Sequence, residues 1–313
     1  MTEPVTVLSH VPLPLLGAVR ERFPDVALVS IPEVGLLEPG VRGDVLLTQA
    51  WGSPNLAAVM ERGVRWVHGY GTGVNDFPFE ALGGVPLTCS RGASGIPIAE
   101  WVLAAMLAFE KRFPESFVQT PEEWKISGLG GLYGRTLALI GFGGIGQAVA
   151  QRALPFGMRV LAKRRSGGAS PVEGVTLAGS WKELLGEADH VVVAAPATPE
   201  THHLVGRERF AEMKPGAHLV NVARGALVDQ EALREALDAG RVAAATLDVA
   251  EPEPPPAGHW LYTHPRVRLS PHISWSMPGA LALLLDPFLE NLARFRDGAE
   301  LLARDRVDLA RGY

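Results

Sequence analysis

Short aliphatic and β-branched runs alternate along the chain with stretches in which apolar residues recur every three or four positions. That alternation predicts βαβ units and a parallel sheet, an α/β protein. In the first third, strands are expected near Val5 to Leu8, Val26 to Val29, Val45 to Thr48, Arg65 to Val67 and Leu87 to Cys89. Helices are expected near Pro14 to Arg22 and Asn55 to Arg62, a set sufficient for one small doubly wound domain. From Ile98 to Arg112 the pattern predicts a long helix, apolar on more than one face and suited to a hinge or subunit contact.

A second series of strands follows: Thr136 to Ile140, Arg159 to Lys163, Val175 to Leu177, His190 to Ala195, His218 to Val222, Val242 to Leu247 and Val267 to Leu269. Helices start near Gly144 and Ser180, and another runs from Asp229 to Ala239. Ser180 with Glu183 reads as a capping box; Asp229 reads as an N-cap, and Gly240 as the stop of its helix. A last helix, about Gly279 to Arg296, has room to carry the chain back onto the first domain, which is therefore expected to be discontinuous.

Size and composition narrow the class. At about 150 residues per domain, 313 residues predict two domains, and a hydrophobic share of 47% supplies both with cores. The 35 glycines and 25 prolines indicate many turns but fall short of low-complexity disorder. A formal charge of −5 offers no positive field for nucleic acid or anionic lipid. A single cysteine, Cys89, cannot form an internal disulfide, and the first residues lack a secretory pattern, so a reducing cytoplasm is expected. The longest apolar run, near Trp101 to Phe109, is about half of a bilayer span.

Chemistry enters at Thr136 to Ala150, where an apolar strand runs into G-x-G-x-x-G and then a helix. Gly141 permits the tight turn, Gly143 keeps a Cβ out of the path of a pyrophosphate, and Gly146 lets helix and strand pack closely. The backbone N–H groups near Gly144 and Ile145 then face the anion from the helix N-terminus. About twenty residues on, where an NAD-specific fold carries an acid, stand Lys163, Arg164, Arg165 and Ser166. Arginines there can bond a 2′-phosphate, each bond worth roughly 1.5–3 kcal/mol, so NADP(H) is expected over NAD(H). A solvated cluster at a strand end is the plainer alternative.

Three further segments each put polar residues just after an apolar strand: Asn221 to Asp229, Leu247 to Pro254 and Leu269 to Trp275. In open parallel sheets ligands bind outside the carboxyl ends of the strands, which brings Arg224, Glu253 and His272 to the crevice of the nucleotide. A guanidinium fork suits a carboxylate, and an imidazole can give up a proton near neutral pH, its ring oriented by a carboxylate. Glu251 competes with Glu253 for that last role. Taken singly, Arg224 can cap a strand and Asp248 a turn. The other eight histidines read as surface or structural, and adjacent His202 and His203 lack metal-ligand spacing to a second cluster, so no metal is implied.

With these segments in hand, the sequence resembles the D-isomer-specific 2-hydroxyacid dehydrogenases, a family that includes glyoxylate/hydroxypyruvate reductases and phosphoglycerate dehydrogenases. The resemblance runs from Gly71-Thr-Gly-Val-Asn75 and Ile98-Ala-Glu100 through Trp124, Gly134 to Leu137, the glycine loop and Pro196 to Thr201, to the three catalytic segments. It implies two doubly wound parallel-sheet domains, with a Rossmann-type coenzyme domain at 98–285 inserted into a flavodoxin-like substrate domain at 1–97 and 286–313. It further implies that Arg224 binds the substrate carboxylate and polarises the keto oxygen, that His272 is the general acid, and that Glu253, rather than Glu251, holds it. Asp248 would contact the nicotinamide carboxamide, Pro196, Thr201 and Ala223 would line the nucleotide, and amides around Thr72 and Gly73 would take the substrate carboxylate.

The implied activity is NADPH-dependent reduction of a small 2-keto acid such as glyoxylate or hydroxypyruvate, by a homodimer whose domains close over the crevice. A dehydrogenase-like co-repressor that senses nucleotide without turnover is the alternative. Gly144 stands where the family often has arginine. Trp275 stands among residues that are usually small and is expected to narrow the substrate pocket or to stack near the nicotinamide. The end at Tyr313 leaves no room for a regulatory domain, and an acid at 253 argues against formate oxidation.

Overall fold

Strands such as Leu-Ala-Leu-Ile after Thr136 are apolar on both faces, and a strand of that kind is stable only where both faces are covered, as in a parallel sheet flanked by helices. The computed structural model describes residues 4–125, 128–165 and 167–313, and these form two compact units. Met1–Ser94 with Pro278–Tyr313 make one, and Gly95–Met277 the other.

In the first unit, β1 (Thr6–Ser9), β2 (Ala27–Ser30), β3 (Val45–Gln49), β4 (Trp66–Tyr70) and β5 (Leu87–Cys89) form a parallel sheet in the order β2-β1-β3-β4-β5. This is the doubly wound flavodoxin-like order. Central β3 and β4 are almost wholly buried, whereas edge strand β2 is partly exposed. Short helices α1 (Gly17–Arg22) and α2 (Leu56–Met60) cross between strands. Before α1 the expected helix is a 3₁₀ turn, Leu13–Leu16, with Pro14 in its first turn.

The second unit opens with α3 (Gly95–Lys111), which begins a turn earlier than expected. Its buried residues Val102, Leu103 and Met106 join Ala148, Val149 and Ala153 of α4 (Gly144–Ala153) in one core cluster, so α3 has a packing partner within its own unit. The strands are β6 (Thr136–Ile140), β7 (Arg159–Lys163), β8 (Val175–Leu177), β9 (His190–Val193), β10 (Ala217–Asn221), β11 (Val242–Leu247) and β12 (Val267–Leu269). They pair in parallel in the order β12-β11-β10-β9-β6-β7-β8. The order reverses between β6 and β9, the crevice where doubly wound sheets take their ligands.

Helices α5 (Trp181–Leu185), α6 (Arg207–Glu212) and α7 (Gln230–Asp238) complete this unit. Ser180 accepts the Glu183 N–H, but Glu183 answers to the N–H of Gly179, not of Ser180, so the expected capping box is opened by one residue. Asp229 caps α7 through the Ala232 N–H, and Gly240, at φ 70°, ends it.

The expected last helix is two: α8 (Ala280–Leu283) and α9 (Asp286–Arg296). Pro287 lies in the first turn of α9, where its missing N–H does no harm but where an unbroken helix would need that donor. Hydrogen bonds from Tyr70 Oη to Leu281 O (2.6 Å) and from Ser90 Oγ to Leu284 O (2.7 Å) fasten α8 to the first unit. Phe288, Leu289 and Leu292 of α9 enter its core, with Phe288 stacked on Trp66.

Beneath α3 lies a buried polar chain. The Glu110 carboxylate, an acceptor only, takes His190 Nε2–H at 3.1 Å. That tautomer leaves His190 Nδ1 to accept from His218 Nδ1 (3.2 Å), and His218 Nε2 to accept the Thr246 hydroxyl (2.9 Å). Burial holds the His218 pKa well below its ordinary range, and the hydrogen bond from His190 lowers that of Glu110.

Candidate active site

The glycine loop has the local geometry its sequence predicts. Gly141 adopts φ +98°, and a Cβ there would meet the backbone of Ala194 and Ala195 at 2.6 Å. A Cβ on Gly146 would sit 2.4 Å from Gly141 O, so helix α4 can approach β6 only with glycine at that place. Gly143, by contrast, has nothing within 4 Å of its Cβ position. Gly143 is the N-cap of α4, and Gly144 and Ile145 begin the helix. Open space over a glycine, with unpaired helical N–H groups behind it, fits the pyrophosphate of a dinucleotide.

At the end of β7 the two arginines differ. Arg164 donates through Nη2 to Gly167 O (3.0 Å) and Ala169 O (2.8 Å), folding back on its own loop. Arg165 is exposed, and Ser166 lies outside the described residues. In the loop after β9, Thr201 turns its hydroxyl inward: it donates to Pro196 O (2.8 Å) and accepts the Thr198 N–H (2.8 Å). Thr201 therefore shapes the loop that carries Pro196.

Strands β10, β11 and β12 are neighbours and run parallel, so the segments that follow them emerge at one edge. After β10, buried Asn221 stitches the turn: its Nδ2 donates to Arg224 O (2.9 Å), and its Oδ1 accepts the Ala223 N–H (3.0 Å). Arg224 Nη1 donates to Ala223 O at 2.7 Å. Gly225 then presses on the segment after β11, with its Cβ position 2.0 Å from Ala250 C and O. This contact sets Arg224 against the stretch that leads to Glu253.

Asp248, fully buried, organises the turn after β12. Its Oδ1 accepts the Ser270 hydroxyl (2.6 Å) and the Ile273 N–H (2.9 Å), and its Oδ2 accepts the Ser274 N–H (2.8 Å). The His272 N–H adds a bond to Asp248 O at 2.8 Å. Asp248 is expected to face a nicotinamide carboxamide; in the structure three donors of the His272 turn bond its two oxygens. Within that turn His272 is held at φ 53°, a left-handed conformation that a non-glycine residue keeps only when its surroundings impose it.

His272 Nδ1 lies 2.7 Å from Glu253 Oε1, and both side chains are 38% exposed. The carboxylate can only accept, so Nδ1 carries the proton and Nε2 is the atom left to face a reactant. Of the two competing glutamates, Glu253 is the one on His272. Glu251 is turned elsewhere, with its main chain held by Gln230 and its carboxylate near His202 and His203 (3.8 and 3.9 Å). Glu251 thus lies beside that histidine pair across nearly fifty residues of sequence. Trp275 donates its indole N–H to His272 O (2.9 Å), bracing the same turn.

In the first unit, Thr72 and Gly73 follow the carboxyl end of β4, and Gly71 leads into them at φ +150°. Asn221, Ser270, Ser274 and Gln230 had no expected role. Their signal in the sequence is only position, polar residues flanking the strand ends, and a single sequence does not separate such residues from ordinary loop polarity.

The family model for the NAD binding domain of D-isomer specific 2-hydroxyacid dehydrogenases matches residues 103–274. A glyoxylate reductase of Thermococcus gammatolerans is 41% identical over 214 residues, 64% of this chain and 63% of that protein. A hydroxypyruvate reductase of Thermotoga maritima is 42% identical over 177 residues, 55% of this chain and 56% of that one. The match thus spans less than two thirds of the length of either relative. A D-isomer specific 2-hydroxyacid dehydrogenase from Xanthobacter autotrophicus Py2, solved with NADPH and MES, superimposes with a TM-score of 0.85 at 27% identity, covering 100% of both chains. The sheet order and the glycine loop together define a doubly wound fold with a Rossmann-type NAD binding domain. This chain belongs to the D-isomer specific 2-hydroxyacid dehydrogenase family.

Proposed function

We propose that this protein reduces a small 2-keto acid of the glyoxylate or hydroxypyruvate kind to the D-2-hydroxy acid, using NADPH, with unit 95–277 holding the nucleotide and the other unit contributing to substrate binding. The observation that carries this reading is the 2.7 Å bond between His272 and Glu253, carried by strand-end segments of the unit that bears the glycine loop.

A bound reduced nicotinamide supplies the hydride that converts the keto carbon to an alkoxide. His272 gives that oxygen the proton on Nε2, and the imidazole, its Nδ1–H shared with Glu253, becomes neutral without leaving its place. Arg224, permanently charged, orients the substrate carboxylate and stabilises the growing oxyanion. Asp248, Asn221 and Trp275 act as positioning residues for His272 and Arg224, and Trp275 also limits the size of the substrate. Amides at Thr72 and Gly73 bind the substrate carboxylate. Gly141, Gly143, Gly144, Ile145 and Gly146 receive the pyrophosphate, with Pro196 and Ala223 beside the nicotinamide. Arg164 and Arg165 at the end of β7 meet a 2′-phosphate, with Arg164 also bonding its own loop. The same reading carries a homodimer in a reducing compartment, in keeping with a single buried thiol at Cys89.

The test is NADPH oxidation by the purified chain against a panel of 2-keto acids. Turnover with glyoxylate or hydroxypyruvate and saturation by substrate are expected; nucleotide binding without turnover on any member of the panel would overturn the proposal in favour of a sensor.

A further inference from the structure

Outside the Glu253 and His272 pair, three metal-ligating side chains converge on the surface of the second unit. His202 and His203 follow the 3₁₀ turn Pro199–Thr201, and Glu251 follows β11. Their ligand atoms all lie within 4.8 Å of one another. Adjacent side chains on an extended backbone diverge; here His203 takes φ 51°, which swings its ring onto that of His202, with centroids 3.9 Å apart and planes 23° apart.

The distances identify what fits between them. Nε2 of each histidine stands 3.8 or 3.9 Å from Glu251 Oε2, beyond hydrogen-bond length. Around a tetrahedral ion with bonds of about 2.0–2.1 Å, donor atoms lie about 3.3 Å apart, so a contraction of roughly half an ångström for each histidine–glutamate pair, and of at most about 1.5 Å for any pair, closes the site. The main chain is already held on both sides: the His203 N–H donates to Ala226 O (2.8 Å), and Gln230 bonds both the N–H and the carbonyl of Glu251. Only side-chain rotations are needed, and all three side chains are about half exposed and free to make them. Two imidazoles and one carboxylate select a borderline divalent ion such as Zn²⁺, Ni²⁺ or Cu²⁺ over Mg²⁺ or Ca²⁺, which require mostly oxygen donors.

We infer that His202, His203 and Glu251 form a binding site for a divalent transition-metal ion, zinc foremost, with water completing its coordination. A metal held there also restrains Glu251, two residues before Glu253.

The experiment is equilibrium dialysis of the full chain against Zn²⁺ with elemental analysis, and Co²⁺ titration read from its visible absorption bands. Binding of about one ion per chain is expected, weakened about tenfold or more in His202→Ala, His203→Ala and Glu251→Gln. It should be unchanged in His264→Ala, which removes another exposed histidine–carboxylate pair, with Asp238. Should His203→Ala melt early because of its left-handed backbone, His202→Ala carries the test, since His202 has ordinary extended angles of φ −60° and ψ 127°. Absence of stoichiometric binding, or binding that survives in both His202→Ala and Glu251→Gln, would overturn the inference.

Discussion

Gly225 and Ala250 touch so closely that a side chain on the glycine would overlap the alanine carbonyl, with only 2.0 Å from the Cβ position to Ala250 C and O. Since this contact joins the Arg224 turn to the segment of Glu253, Gly225→Ala forces the two strand ends apart. A melting temperature lower by the equivalent of about 1–3 kcal/mol, together with a fall in kcat, is expected. Gly143→Ala meets no protein atom within 4 Å. It should leave thermal stability unchanged and weaken nucleotide binding, which isothermal titration with NADPH would show.

Asp248→Asn keeps the shape but removes the charge that three donors share. One of those donors then faces an amide N–H₂, a loss of about 1–3 kcal/mol for an unsatisfied buried group. Because the donors belong to the His272 turn, turnover should fall along with stability. Unchanged kcat in a destabilised Asp248→Asn variant would show that the turn does not set the position of His272.

Nucleotide preference rests on the end of β7. Arg165→Ala should raise the Michaelis constant for NADPH by about tenfold, the equivalent of one charge-assisted hydrogen bond, and leave that for NADH where it was. Equal Michaelis constants for the two nucleotides in the unsubstituted protein would contradict the preference.

Acid should loosen the fold as the pH falls through the ordinary histidine range. Burial pushes His68 down to about 3, and its ring bonds Thr88 Oγ1 and Ser90 Oγ at 2.7 and 3.3 Å. Buried His218 is likewise held well below its usual value. An unfolded histidine takes up a proton below about 6.5, whereas these folded ones stay neutral, so the unfolded state binds more protons and stability falls with pH. Each contributes at most about 1.4 kcal/mol per pH unit. Thermal melts from pH 7 to 5 should show a declining midpoint, with a shallower decline in His68→Gln; a flat profile would count against both assignments.

Much of the fold was legible because the inner parallel strands are written as mostly apolar runs: β6, β7 and β11 fall where the runs predict, and the short edge strands β8 and β12 also match their expected bounds. The break between α8 and α9 escaped because the periodicity persists through Pro287, which starts one helix as readily as it stops another. At the site, Gly141, Gly146 and Asp229 announce themselves through local backbone needs. Asp248 is readable as an acid after a strand, but the three donors around it come from the turn after the neighbouring strand and leave no local signal. Glu251 and the two histidines were unreadable as a cluster, since their approach depends on the spacing of β9, β10 and β11 in the sheet.

The central claim is that His272, oriented by Glu253, gives the proton that completes reduction. Steady-state turnover of His272→Ala with NADPH and glyoxylate or hydroxypyruvate, alongside its dissociation constant for NADPH, tests it most directly. The account predicts kcat lower by about 10²–10⁴ with nucleotide affinity unchanged. Wild-type kcat in that variant would contradict it.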